Sequence, residues 1–121
     1  MSENVLQKKS FAFALKVVRT YKEITNSQRE YVLSKQLLRS GTSVGAMIRE
    51  SEFAQSKADF ISKLSIGLKE ANETEYWLLL LKEANYLQAD AADKLIVLNK
   101  ELISMLVASI KTAKNSLKRN H

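Results

Sequence analysis

Apolar residues along this chain recur at intervals of three and four rather than two, the spacing of helix faces rather than strands. The most distinctive block is Leu33 to Glu52, LSKQLLRSGTSVGAMIRESE, where Leu33, Leu37, Gly41, Val44 and Ile48 fall on one face of a helix. Ser40, Gly41, Ser43, Gly45 and Ala46 line the same turns with almost no side-chain volume, so another helix can approach this backbone closely. Each glycine inside a helix costs about 1 kcal/mol relative to alanine, and tertiary packing has to recover that cost.

The same periodicity predicts three further helices. The first covers about Glu3 to Ile24, with Leu6, Phe13, Val17, Tyr21 and Ile24 on one stripe. Phe11, Leu15 and Val18 form a second stripe, which suggests a wider buried surface at a subunit contact. Thr25, Asn26 and Ser27 are read as the stop of this helix, and Ser27 with Glu30 as a capping box opening the second, which runs to about Ser51. Ser56 and Asp59 are spaced as another capping box, opening a third helix that reaches about Asn85. Its broad stripe is Phe60, Leu64, Leu68, Ala71, Leu78 and Lys82. Asn85 tolerates the left-handed conformation that ends a helix. The fourth helix spans about Ala91 to Leu117, with one seam at Leu95, Leu98, Leu102 and Met105. A neighbouring seam holds Ile96, Ile103, Leu106, Ile110, Ala113 and Leu117.

Tyr76 to Leu81 is apolar all the way around the helix, more than one bundle core can cover. Tyr76, Trp77, Leu80 and Leu81, with Ile103 and Ile110, are therefore expected at a homo-oligomer interface.

Composition narrows the class. Proline is absent, glycine occurs three times and no Asn-Gly or Asp-Gly turn is present, so an all-α chain is expected, folded as one domain over residues 1–121. With no cysteine there is no disulfide framework, which fits a cytoplasmic protein. MSENVLQKKS lacks the apolar core of a signal peptide, and no apolar run approaches the ~18 residues of a membrane span, so no membrane partner is expected.

The net charge of +6 is uneven. Residues 1–57 carry ten Lys or Arg against five Asp or Glu, residues 58–101 five against eight, and residues 102–121 four against none. Basic ends attract nucleic acid, or pair with an acidic middle segment in an oligomer. The candidate phosphate contacts are Lys35, Arg39, Arg49, Lys111, Lys114, Lys118 and Arg119. The aromatics Phe60, Tyr76 and Trp77 sit in apolar stretches and read as core rather than as stacking platforms.

Catalytic chemistry finds little footing. SGTSVG has no Lys-Ser or Lys-Thr after its glycines and no preceding strand, so it is not a phosphate-binding loop. The only histidine is His121, so neither a Glu-x-x-His metal site nor a histidine-activated nucleophile can be built. No enzyme, metal or cofactor is expected.

The run from Tyr31 to Leu87 resembles the bacterial four-helix bundle proteins encoded in intervening sequences of 23S ribosomal RNA genes, most specifically in QLLRSGTSVGA, AQSKADFISKLSI and ETEYWL. The resemblance implies an up-down-up-down antiparallel four-helix bundle and, in relatives, a ring-like homopentamer. Related accessory proteins of diversity-generating retroelements associate with nucleic acid and a reverse transcriptase through a basic surface. The resemblance carries no catalytic residue. It departs at Met47, where the pattern has asparagine while Gly45, Ala46, Ile48 and Glu50 match.

The expected function is a non-enzymatic, homo-oligomeric bundle whose basic surface associates with RNA or DNA, as an accessory to a nucleic-acid-processing protein or as a scaffold. The rival is a scaffold that binds only protein.

Overall fold

In the computed structural model, which describes residues 2–119, four helices follow one another: α1 (Ser2–Gln28), α2 (Leu33–Ser51), α3 (Lys57–Glu83) and α4 (Ala89–Arg119). Each packs against its neighbour in the chain, and α1 also meets α4, so the four close into a bundle. Short connections make successive helices antiparallel, giving the expected up-down-up-down order. Packing is most extensive between α2 and α3 and sparsest along the α1–α4 seam.

The small residues of α2 serve the close packing that their spacing predicts. A Cβ on Gly41 would stand 2.9 Å from both methyls of Val17 on α1. On α3, Gly67 provides matching space: a Cβ there would lie 3.4 Å from the Cβ of Met47 and 3.7 Å from the Val44 carbonyl oxygen. Close approach also brings polar groups together. The Thr74 hydroxyl is hydrogen-bonded to Ser40 Oγ at 3.0 Å and to the Glu70 carbonyl oxygen at 2.7 Å.

Of the predicted stripe of α1, Leu6, Phe13, Val17 and Ile24 are inside, joined by Ser10, while Tyr21 is half-buried. On α3 the stripe is rotated from the expected set. Leu64, Gly67, Ala71, Thr74, Leu78 and Leu81 alternate steps of three and four and fill the core, while Leu68 and Lys82 flank it. The two seams expected on α4 merge into a single buried band: Leu95 and Leu102 from one and Leu106, Ile110 and Ala113 from the other lie inside with Ala92 and Asn99.

Helix ends show one clear departure. α1 continues through Thr25, Asn26 and Ser27, where the sequence predicts a stop. Thr25 Oγ1 donates to the Tyr21 carbonyl and Ser27 Oγ to the Glu23 carbonyl, so these side chains bond back one turn within the helix instead of ending it. The chain turns at Arg29, whose φ of 54° lies in the left-handed region. Ser27 and Glu30 do not form a capping box. Glu30 alone caps α2, its carboxylate accepting from the backbone N–H groups of Val32, Leu33 and Ser34. The other two signals hold: Ser56 Oγ accepts from the Asp59 N–H at 3.0 Å, and Asn85 turns the chain after α3 with a φ of 66°.

Candidate nucleic-acid interface

Antiparallel packing brings the last turns of α4 to the end of the bundle where α2 passes to α3. Lys57 Nζ, in the first turn of α3, donates a 2.6 Å hydrogen bond to Ser116 Oγ, which fixes the level of α4 at that end. Lys118 and Arg119 follow Ser116 in the final turn, and Arg49 occupies the last turn of α2. Five of the seven candidate cations, Arg49, Lys111, Lys114, Lys118 and Arg119, are thus exposed in one half of the molecule. Among the described residues none of them has a carboxylate within ion-pair distance. Their position near helix C-termini also offsets the partial negative charge there.

The other two candidates do not join this group. Lys35 is exposed in the first turn of α2, at the opposite end. Arg39 is held by carboxylates: Nη1 lies 3.1 Å from Glu70 Oε1, and Nη2 pairs with Glu73 Oε2. Glu73 also accepts from Trp77 Nε1 at 2.9 Å, so Arg39 belongs to a bridge between α2 and α3 and is not a free phosphate ligand. Cations elsewhere are similarly engaged: Lys9 with Glu101 at 3.1 Å, Lys100 with Glu75 at 3.9 Å and Lys82 with Asp93 at 2.8 Å. The hydrogen bond and charge of Asp93 hold the Lys82 ammonium above its ordinary pKa. At Glu30 partial burial pushes the carboxyl up, but the donors from Leu33, Ser34 and Val32 outweigh it, and the group sits below the ordinary carboxylate range.

The residues expected at an oligomer interface divide between core and surface. Leu81 and Ile110 are enclosed by the chain's own core, because the rotated stripe of α3 and the buried band of α4 claim them. Trp77, Leu80 and Ile103 are half-buried, and Tyr76 is 58% exposed. Leu79, absent from that set, is 42% exposed and lies on the outside of α3 beside Tyr76. The periodicity could have found it, since Leu79 falls three residues after Tyr76 on the side away from Leu78 and Leu81.

Two exposed aromatics accompany the basic half. Phe53 lies in the α2–α3 turn, and Phe11 on α1 borders a groove between α1 and α2 that reaches Arg49. Phe11 and Leu15 belong to the second stripe of α1, and the structure leaves both exposed. Lys8, three residues before Phe11, lines the same groove and is not among the cations that the sequence singles out. An aromatic and a lysine one helical turn apart are the signal that could have found it.

Among the described residues no cluster of three or more acidic or histidine side chains is placed to hold a metal ion; His121 lies outside them. No described helix is long and apolar enough to cross a membrane.

This bundle has a counterpart in sequence space. The family described as 23S rRNA-intervening sequence protein matches residues 2–108. The chain belongs to that family. Among solved structures, it is similar to a protein of unknown function from the S23 ribosomal protein family of Bacteroides thetaiotaomicron. The two share 51% sequence identity over 92% of this chain and 99% of the other, with a TM-score of 0.90. No curated protein sequence matches the chain. Within the 23S rRNA-intervening sequence frame, Met47 packs over Gly67 at the α2–α3 contact, so the position where the resemblance expects asparagine carries an apolar side chain here.

Proposed function

We propose that this chain acts as a single-domain, non-enzymatic, homo-oligomeric bundle in the cytoplasm, and that its basic end associates with RNA or DNA. It serves there as an accessory or scaffold for a nucleic-acid-processing protein. The observation that carries this reading is the convergence of Arg49, Lys111, Lys114, Lys118 and Arg119 on one half of the bundle, without carboxylate partners among the described residues. Cations left unpaired in this way favour phosphates, whose counterions are released on contact. Membership of the 23S rRNA-intervening sequence family supports a nucleic-acid setting.

The test is binding to structured RNA and to DNA at low salt, followed by a salt titration. Affinity is expected to fall steeply with salt, and Lys114→Glu with Lys118→Glu to flatten the slope by about 0.7–0.9 for each phosphate no longer neutralised. Lys35→Glu, at the other end, should leave the slope nearly unchanged. Absence of retention on either nucleic acid overturns the reading. The acidic balance of residues 58–101, which the basic ends can meet in a neighbouring subunit, favours a second reading, a scaffold that binds only protein. Capture of a protein partner that persists after nuclease treatment, with no nucleic-acid retention, selects it.

A further inference from the structure

We infer that the groove between α1 and α2 binds an unpaired nucleotide, its base stacked on Phe11 and its flanking phosphates on Lys8 and Arg49. This rests on the nucleic-acid reading above and narrows it to single-stranded RNA or DNA.

Phe11 is 71% exposed, so its ring is open to a stacking partner. Around it the groove is largely apolar, and Ala12, Gly45 and Ala46 leave it open by putting little side chain into it. The α1 and α2 backbones are close at this level: a Cβ on Gly45 would lie 3.4 Å from the Ser10 carbonyl oxygen. The space measures about 630 Å³, inside the range of about 300–1,000 Å³ usual for small-ligand sites.

Lys8 and Arg49 line this apolar surface, and among the described residues neither has a carboxylate partner. An exposed ring beside unpaired cations is the combination that captures single strands, since every base has a face to stack and every linkage a charge to neutralise. A duplex keeps its bases stacked on one another and cannot use the ring. A second copy of the chain in the groove would have to cover both cations and leave them unpaired or supply carboxylates. Arg49 also lies in the same half of the bundle as the α4 cations already described.

The experiment is fluorescence anisotropy with three labelled probes: a single strand of about ten nucleotides, within the ~4–16 nucleotides that such single-strand sites span, an abasic strand of the same length, and a duplex. The wild-type protein is expected to bind the base-bearing strand more tightly than the abasic one. Phe11→Ala should lower affinity for the base-bearing strand about 5- to 100-fold, the loss of one stacked base, and leave the abasic strand unaffected. Phe11→Trp should retain the preference. Equal wild-type binding of the base-bearing and abasic strands, or unchanged base preference in Phe11→Ala, overturns the inference while leaving the basic-end reading intact. No binding of any probe overturns both. A smaller particle mass for Phe11→Ala in light scattering, with strand binding unchanged, assigns the groove to a second copy and overturns the inference.

Discussion

Asn99 Nδ2 on α4 donates a 2.8 Å hydrogen bond to the carbonyl oxygen of Ala71 on α3, at the centre of the core. The side chain is fully buried, and its Oδ1 has no hydrogen-bond partner among the described residues. The bond therefore ties two helices together while leaving one acceptor desolvated, a cost of about 1–3 kcal/mol. Ala71 sits mid-helix, so its carbonyl keeps an intrahelical donor if Asn99 is removed. Asn99→Leu should then unfold at an equal or higher denaturant concentration than the wild type. Asn99→Asp, which buries an acid in the same place, should lose about 2 kcal/mol or more. Urea titration of the three proteins checks both, and a large loss for the leucine variant would show that the amide is worth more than its orphaned oxygen costs.

Gly41 on α2 packs directly against Val17 on α1. Alanine at position 41 gains about 1 kcal/mol of helix propensity but forces a Cβ to within 2.9 Å of two valine methyls. Overpacking of this kind costs about 1–3 kcal/mol, so Gly41→Ala should be net destabilising. In a Val17→Ala background both methyl contacts are gone and only a 3.3 Å approach to the remaining Cβ at position 17 is left, so the same substitution should cost much less or turn stabilising. A double-mutant cycle in denaturant measures that difference.

Elements whose physics is local were legible in the chain: the four helices, the Ser56–Asp59 cap, the left-handed Asn85 and the small-residue face of α2. The α1–α2 junction was not. Ser27 and Glu30 have capping-box spacing, yet a serine that can bond back to the carbonyl four residues earlier fits inside a helix equally well, and only the three-dimensional turn decides. The core register of α3 was hidden for a related reason. Gly67 and Thr74 look like poor core residues until α2 is seen to approach closely enough to need a missing side chain at one and a hydroxyl partner at the other. For the interface, the sequence shows cations without their partners, and the carboxylates that remove Arg39 from the set lie 31 and 34 residues away.

The cap formed by Glu30 makes a pH prediction. Its carboxyl pKa is lower in the folded chain than its ordinary 4.5, so the unfolded chain takes up the proton first as pH falls. The stabilisation is complete above about pH 4.5 and is lost as pH drops through the folded value. Glu30→Gln, which keeps an acceptor but loses the charge at the helix N-terminus, should cost about 0.3–1 kcal/mol at neutral pH. The gap between variant and wild type should narrow toward about pH 3, below the ordinary carboxylate range. Thermal or urea unfolding at both pH values reads it, and a gap independent of pH would mean that the charge on Glu30 contributes nothing beyond its shape.

The exposed pair Tyr76 and Leu79 carries the last prediction. Leu78 and Leu81, on the same turns of α3, are fully buried by α3's neighbours, whereas Tyr76 and Leu79 face outward and lie outside the core. In the proposed homo-oligomer this outward-facing pair is the surface assigned to the subunit contact. Leu79→Arg places a charge in that contact without entering the core, so it should leave helicity and unfolding midpoint nearly unchanged and lower the particle mass in light scattering. Leu81→Arg provides the contrast: it buries a charge in the chain's own core, and it should unfold the protein rather than dissociate it. A wild-type chain that is monomeric at micromolar concentration would remove the assembly altogether. An assembled chain indifferent to Leu79→Arg would move the contact to another face, with the α1–α2 groove the next surface to test.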